Sequence, residues 1–196
     1  MNKIRLFVAV DIPGEIRDVL GDLIEDNKKT AEGARWVRPE NLHLTLKFIG
    51  NQDENRLERL RSEVRTAAER SRAFTVLLGG CGAFPSPYKA RVIWVGMESG
   101  IEEARNVAGK LDSRLAKAGV EHEKRQFRGH LTLARLKRPS NCSSLLEDMA
   151  DGLRDLSHMP FRVDEIVLYR STLGSEGSTY TVLERMVLGD NRHDTG

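Results

Sequence analysis

The chain has 196 residues, with 31 Lys or Arg and 29 Asp or Glu, which gives a formal net charge of +2 at pH 7. This length allows one large domain or two small lobes with a buried core, while the small net charge excludes polyanion binding through an overall positive field. Asp11 interrupts the first apolar run and no later run reaches the length of a membrane span, so we expect a cytoplasmic protein that does not associate with membranes.

The first half of the chain predicts strands and helices in alternation. The apolar run IRLFVAV (4–10) indicates a strand, and the periodic segment 14–29 indicates a helix. A second strand follows in NLHLTLKFIG (41–50), and a second helix in 54–71. Two further strands flank FPSPYKA (84–90), whose Pro and Ser residues are typical of turns.

The second half predicts the same order of elements. RVIWVGM (91–97) indicates a strand and 100–119 a helix, followed by a strand in GHLTLARL (129–136) and a helix in 143–156. Two more strands flank LGSEGS (173–178). We therefore expect the two halves to be copies of one unit.

A common offset supports this duplication. His43 and His130 open two identical His-Leu-Thr-Leu tetrads that lie 87 residues apart. The same offset brings FVAV at Phe7 onto WVGM at Trp94, FTVLLGG at Phe74 onto FRVDEIV at Phe161, and VIWV at Val92 onto TYTV at Thr179. We predict a single bilobal domain over 1–190 and a polar tail over 191–196. The expected fold is α+β, with two lobes related by a pseudo-two-fold axis, each a mostly antiparallel sheet with helices on its outer face, and a groove between them.

Strand alternation assigns the tetrad side chains to two faces. His43, Thr45 and Lys47 are predicted to share the groove face. Leu44, Leu46 and Phe48 are predicted to enter the core. The second tetrad repeats the pattern, so a pseudo-two-fold axis brings two imidazoles and two threonine hydroxyls to one groove.

Two facing imidazoles suit general acid–base catalysis, because one can donate a proton while the other accepts one near neutral pH. Threonine hydroxyls beside them can hold an anionic group, which favours phosphoryl or cyclic-phosphate chemistry. No Asp, Glu or Cys stands at ligand-like spacing from either histidine, and no phosphate-binding glycine loop is present, so we expect neither a metal nor a cofactor. Cys81 and Cys142 match no metal or redox spacing and are expected to be free thiols.

A cluster of cations around the second tetrad indicates an anionic substrate. It comprises Lys124, Arg125, Arg128, Arg135, Lys137 and Arg138, with Arg35, Arg38 and Lys47 near the first tetrad. Aromatic residues Trp36, Phe48 and Phe127 are interleaved with these cations, a combination that favours RNA binding. Such runs also occur as ordinary solvated surface, and Phe48 shares the predicted core face.

Five segments carry a resemblance to a known family. RLFVAVDIP, RWVRPENLHLTLKFIG, ARVIWVGM, FRGHLTLAR and LYRSTLGSEGSTYTVL resemble, in this order, the two-histidine phosphoesterases with paired H-x-T-x motifs. They are most similar to the RNA 2′,3′-cyclic phosphodiesterase branch, historically called 2′-5′ RNA ligases. The resemblance extends to about Leu188.

The resemblance implies a role for each site residue. His43 is expected to donate a proton to the leaving O3′, and His130 to activate water, which yields a 2′-phosphomonoester; the residues alone leave donor and base unassigned. Thr45 and Thr132 are expected to hold nonbridging phosphate oxygens. Arg128 and Arg135, which flank the second motif, are expected to contact the substrate, and the charge pattern near the first tetrad adds Lys47 and Arg38 to the expected substrate contacts. The family commonly has proline before the second histidine, whereas this chain has Gly129, so we expect His130 to be less preorganised.

Two alternatives remain open at this point. The same histidines could catalyse 2′-5′ ligation, or the protein could bind RNA without catalysis. The expected partner is RNA with a 2′,3′-cyclic phosphate end or a related small cyclic nucleotide, and the expected state is a monomer. His122, His158 and His193 are interpreted as surface residues.

Overall fold

A computed structural model describes residues 2–30, 33–174 and 177–189. Its nine strands are β1 (Lys3–Asp11), β2 (Ala34–Trp36), β3 (His43–Asp53), β4 (Phe74–Phe84), β5 (Ala90–Ser99), β6 (His130–Ser140), β7 (Phe161–Val163), β8 (Glu165–Gly174) and β9 (Gly177–Val187). Its four α-helices are α1 (Gly14–Asn27), α2 (Leu57–Glu69), α3 (Ile101–Lys117) and α4 (Ser143–Gly152). The four predicted helices and the strand order are thereby confirmed.

The strands form one antiparallel sheet in the order β7-β4-β5-β6-β3-β1-β8-β9, with β2 beside β6. β3 and β6 meet at the centre, where Leu44 pairs with Leu131. On one side lie β1, β8 and β9, and on the other lie β5, β4 and β7. Each side therefore contains strands from both halves of the chain. The predicted α+β fold with two pseudo-equivalent lobes is confirmed.

The helices cover one face of the sheet with an apolar stripe. In α2, Leu60, Val64 and Ala67 are buried at helical spacing, and in α3, Leu111 and Leu115 are buried in the same way. Full burial of one such leucine stabilises the fold by roughly 1.5–3 kcal/mol. These side chains belong to a single large core on the helical face, so the opposite face of the sheet is left for the groove.

The strand register corrects part of the predicted duplication. Asp11 pairs with His43 across β1 and β3, and Gly96 pairs with His130 across β5 and β6. Asp11 and Gly96 are therefore equivalent, 85 residues apart. The predicted match of Phe7 with Trp94 is wrong by two residues, and Phe7 corresponds to Val92. The reason is that the segment from Gly96 to His130 is two residues longer than the segment from Asp11 to His43.

Both tetrad strands contain a β-bulge directly after the threonine. In β3, Thr45 pairs with Ala9 and Lys47 with Val8, which leaves Leu46 as the extra residue. In β6, Thr132 pairs with Trp94 and Ala134 with Ile93, which leaves Leu133 as the extra residue. An extra residue reverses the alternation of the side chains that follow it.

Part of the predicted chain organisation concerns residues that the structure does not describe. The polar tail 191–196, including His193, and residues 175–176 of the LGSEGS connection lie outside the described residues. The single domain over 1–190 remains a prediction. Within the described ranges, no helix combines the length and apolar character needed to cross a bilayer.

Candidate active site

The two tetrads lie side by side at the centre of the sheet. Leu44 and Leu131, which pair across β3 and β6, are both fully buried on the helical face. His43 and His130 therefore face the opposite side, together with Thr45 and Thr132, and all four are partly buried. The structure thus brings the four predicted catalytic residues to one groove.

Each imidazole is oriented by a contact with a backbone carbonyl oxygen two residues earlier in the chain. Nδ1 of His43 lies 2.7 Å from the carbonyl oxygen of Asn41, and Nδ1 of His130 lies 2.7 Å from that of Arg128. A carbonyl oxygen only accepts, so each Nδ1 carries the hydrogen and donates it. Each Nε2 is then the nitrogen that remains for proton exchange with a substrate.

Aromatic rings hold the two histidines from the side. The ring centroid of His43 lies 4.9 Å from that of Phe7 and 5.2 Å from that of Tyr180. The ring of His130 lies 5.1 Å from that of Phe84 and 6.3 Å from that of Trp94. These contacts fix the imidazoles and exclude water from part of their surface.

Burial is the main influence on both histidines, and it lowers the pKa of each below the usual 6.5. The hydrogen bonds to Asn41 and Arg128 raise the two pKa values, and the cation of Arg135 lowers both. Asp11 raises the pKa of His43 alone, while the neighbouring His130 lowers it. Both rings are therefore mostly neutral at pH 7 in the absence of an anion.

Arginines surround the groove. Arg135 pairs with Arg35 across β6 and β2, and directly paired residues point to the same face of a sheet. Both guanidinium groups are exposed, and because like charges repel across such a pair, this position favours an anion. The guanidinium carbon of Arg128 lies 5.9 Å from the ring centroid of Phe84, next to His130. Arg38 is exposed and precedes the 3-10 turn that leads into β3.

Lys47 does not lie in the groove, so the predicted face is wrong and a substrate contact is not supported. The bulge turns its side chain to the helical face, where only 6% of it is exposed. Nζ of Lys47 donates to Oδ1 of Asp112 at 2.6 Å and to the carbonyl oxygen of Glu121 at 3.1 Å. Lys47 therefore attaches β3 to α3 and the segment after it.

The same bulge reverses the prediction for Phe48, which was expected in the core. Phe48 is 55% exposed, and its ring centroid lies 6.3 Å from that of Phe7 on the groove face. Trp36 and Phe127, expected near the basic rim, are partly buried and pack against the core. Of these three aromatic residues, Phe48 has the exposure needed to stack on a base.

Gly129 is enclosed by Met97. A Cβ atom at Gly129 would lie 2.2 Å from Sδ of Met97, so the methionine side chain fills the space that a larger residue would need. His130 nevertheless makes a hydrogen bond of the same length as His43 does. The expected weaker preorganisation of His130 is therefore not reflected in the geometry of its backbone contact.

Two cavities accompany these elements. One of about 230 Å³ adjoins His43 and is lined by Asp11, Glu40, Asn41, Tyr169, Tyr180 and Arg185, among others. A larger one, of about 680 Å³, lies between α2 and α3, and none of its lining residues belongs to either tetrad. In the described part of the chain, no three His, Cys, Asp or Glu side chains are grouped so that they could hold a metal ion.

Several residues of the site were not predicted as such. Asp11 stands out in the sequence only as the residue that interrupts the first apolar run, and Tyr180 lies in the repeated segment TYTV without a predicted role. Tyr169 and Phe84 carry no motif that marks them. Asp11 pairs with His43 across the strands, and a polar residue at the end of a buried strand was the signal available for it.

Comparison with known proteins identifies the family. The family model described as LigT like phosphoesterase matches the chain twice, over residues 10–94 and 95–180. The chain belongs to the LigT-like phosphoesterase family. Its two matched segments divide the chain within β5, and each contains one His-Leu-Thr-Leu tetrad.

Relatives of this family cover nearly the whole chain. An RNA 2′,3′-cyclic phosphodiesterase of Methanothermobacter thermautotrophicus is 37% identical over 93% of this chain and 97% of its own length. Another of that name, from Archaeoglobus fulgidus, is 34% identical over 90% and 96%. The crystal structure of Escherichia coli LigT complexed with 3′-AMP superposes with a TM-score of 0.72 at 28% identity, covering 95% of this chain and 99% of that one.

Proposed function

We propose that this LigT-like phosphoesterase hydrolyses RNA 2′,3′-cyclic phosphate ends to 2′-phosphomonoesters. The observation that carries the proposal is the juxtaposition of two identical tetrads whose imidazoles each keep Nε2 for proton exchange in one groove. The relatives named as RNA 2′,3′-cyclic phosphodiesterases, with coverage of nine-tenths or more, support the same activity.

The reaction needs one proton donor and one base. In this proposal His43 protonates O3′ as the P–O3′ bond breaks, and His130 takes a proton from the water whose oxygen bonds to phosphorus. The products are a free 3′-hydroxyl and a 2′-phosphate, and exchange with solvent restores both histidines. Binding of the cyclic phosphate anion favours protonation of one imidazole, which offsets the effect of burial on its pKa.

The remaining groove residues are assigned to the anion. Thr45 and Thr132 supply hydroxyl groups beside the histidines, which suits contacts to nonbridging phosphate oxygens. Arg135 lies close enough to lower the pKa of both histidines, which favours a phosphate contact between them. Arg128 at the His130 side, and Arg38 near β3, are proposed to contact the RNA backbone.

The finer features of the partner are also proposals. A small cyclic nucleotide would reach the same groove, since the chemistry requires only the cyclic phosphate and the sugar. A monomer is proposed because both tetrads come from one chain. A cytoplasmic location is proposed because Cys81 and Cys142 are free thiols.

A direct test uses an RNA oligonucleotide ending in a 2′,3′-cyclic phosphate, incubated with EDTA. We expect the native protein to produce a 2′-phosphate end, and His43→Ala and His130→Ala each to lower the rate by roughly 10²–10⁴-fold, the usual contribution of a general acid or base. His158→Ala, an exposed histidine outside the groove, is the matched control and should retain the native rate. Equal rates in all four proteins would refute the proposal.

The same assay separates the alternatives. Adding an acceptor with a free 5′-hydroxyl would reveal a 2′-5′ linked product if ligation were the main reaction. A protein that binds RNA without catalysis would give no new RNA ends, and replacement of both histidines would leave RNA affinity intact.

A further inference from the structure

The two halves of the active site differ at two equivalent positions. Asp11, which pairs with His43, corresponds to Gly96, which pairs with His130. One strand further out, Tyr169 pairs with Phe7 just as Phe84 pairs with Val92. Tyr169 and Phe84 are therefore also equivalent. The His43 side of the active site thus has a carboxylate and a phenol, and the His130 side has neither.

Asp11 is held in place by two donors. The hydroxyl group of Tyr169 donates to Oδ1 of Asp11, and Nη2 of Arg185 donates to Oδ2 at 2.6 Å. Burial and the bond to Asp11 raise the pKa of Tyr169, so the phenol stays protonated and keeps donating. The ring of Tyr169 stacks on Phe7 at 5.1 Å, and Phe7 contacts His43. The carboxylate is thereby fixed beside the first histidine.

The surroundings of His130 leave less space for the same arrangement. A Cβ atom at Gly96 would lie 3.2 Å from the carbonyl oxygen of Gly79 and 3.2 Å from a ring carbon of Trp94. Such distances are tighter than ordinary contacts, so a carboxylate side chain is disfavoured there. Phe84, which contacts His130, lacks the hydroxyl that would hold a carboxylate.

The charges near His43 come from several elements. Asp11, Glu40, Arg17 and Arg185 line the cavity beside it, from β1, the 3-10 turn, α1 and β9. His130 and Arg135 face it from β6, and Tyr169 and Tyr180 lie beside it on β8 and β9. Of this set, Asp11 is the group that favours a proton on His43, and it has no counterpart among the influences on His130.

We propose that Asp11, fixed by Tyr169 and Arg185, is a positioning residue that favours protonation of His43 and thereby makes His43 the proton donor and His130 the base. This inference rests on the proposed function, because donor and base have meaning only if the cyclic phosphate is hydrolysed. His43 then supplies the proton to O3′, and the neutral His130 accepts the proton of the attacking water. The difference between Asp11 and Gly96, and between Tyr169 and Phe84, thus determines the direction of proton transfer across a pseudo-symmetric groove.

The test compares Asp11→Asn with the native protein by NMR titration of the histidine ring protons, without substrate. Asn keeps the size of Asp and removes its charge, so the titration midpoint of His43 should fall by about half a pH unit or more, while that of His130 changes less. Asp53→Asn is the matched control, because Asp53 pairs with Lys3 at the far end of the same β1·β3 pair. It should leave both midpoints unchanged.

A second variant should shift the His43 titration midpoint in the opposite direction, and it provides the test if Asp11→Asn does not fold. Arg185→Gln removes the cation that neutralises Asp11, so the His43 midpoint should rise. In kcat/KM profiles on the cyclic phosphate substrate, the alkaline limb should move to lower pH in Asp11→Asn and to higher pH in Arg185→Gln. A merely structural role for Asp11 would leave these midpoints and limbs unmoved.

The outcomes are distinguishable. If the native protein hydrolyses the substrate but the His43 midpoint does not change, the inference is refuted and the proposed function stands. Movement of the acidic limb in place of the alkaline limb would show that His43 has the lower pKa of the two histidines, and would also refute the inference. If the native protein does not hydrolyse the substrate, the proposed function itself fails.

Discussion

His43 and His130 each use one ring nitrogen to bind the backbone two residues earlier in the chain. This contact fixes the tautomer of both rings, so their roles depend on what surrounds Nε2 and not on how the rings are attached. The groups that differ between the two rings, Asp11 above all, are then the groups able to separate donor from base. Residues without a motif therefore complete a site whose histidines are readily found from sequence.

At the residue scale, substitution by methionine should lower kcat/KM at Arg135 and leave it nearly unchanged at Lys47. Arg135→Met removes a cation from the groove, and we expect kcat/KM to fall about 10- to 100-fold, the effect of losing a hydrogen bond to a charged group. Lys47→Met removes a cation of the helical face and should leave kcat/KM within about twofold. Steady-state kinetics on the cyclic phosphate substrate measures both.

Circular dichroism and thermal unfolding should accompany these kinetics, because a loss of fold would imitate a loss of catalysis. A large decrease in kcat/KM for folded Lys47→Met would show that this side chain acts on the substrate. An unchanged kcat/KM for Arg135→Met would remove Arg135 from the proposed phosphate contacts.

At the scale of elements, the two bulges determine which residues face the groove. Strict alternation after Thr45 and Thr132 would send Lys47 to the groove and Arg135 to the helices. The extra residue in each strand reverses this order, so Lys47 binds α3 and Arg135 faces the groove beside both histidines. The bulge occurs at the same place in both strands, which makes it a feature of the repeated unit.

This explains how far the sequence could predict the site. Helix periodicity and the repeated tetrads predicted the four helices, the antiparallel sheet and the position of the histidines and threonines. A bulge leaves no comparable pattern, so Lys47 and Phe48 were assigned to the wrong faces. The pairing of Asp11 with His43 and of Tyr169 with Phe7 depends on strand register, which one uniform offset could not give.

Asp112 should stabilise the attachment of β3 to α3. Burial alone would raise its pKa, but hydrogen bonds from His122, Lys47 and the Glu123 amide outweigh this and lower it to about 2. Asp112→Asn leaves the ammonium group of Lys47 buried without its counter-charge. We expect a loss of about 1–3 kcal/mol in the free energy of unfolding at pH 7, at the lower end of buried pairs because the carboxylate retains contact with water.

Urea unfolding measures this loss, and its pH dependence follows from the sign of the shift. The stabilisation is complete above the ordinary carboxylate range near pH 4 and disappears as the pH falls towards 2. The difference between native protein and Asp112→Asn should therefore shrink over that range. Asp148→Asn, on the exposed side of α4, is the control and should cost little. A constant difference from pH 7 to pH 2 would contradict this account.

At the scale of the whole molecule, the groove lies where the two sides of the sheet meet, and each side contains strands from both halves of the chain. The site therefore forms only from strands of both halves of the chain, and the same packing buries its titratable residues. This places functional groups among the determinants of stability. Burial disfavours the protonated imidazole that the proposed reaction needs, so folding and catalysis oppose each other at His43 and His130.

The free energy of unfolding should depend on pH through these two histidines. Burial holds the pKa values of His43 and His130 below 6.5 in the folded protein, so the unfolded chain binds more protons as the pH falls through that value. Stability should therefore fall as the pH decreases from about 7 to 5. In a His43→Gln, His130→Gln double variant the free energy of unfolding, measured with urea, should change less over this range. His158→Gln, outside the groove, should keep the native slope. A native slope in the double variant would show that these two imidazoles do not link protonation to folding.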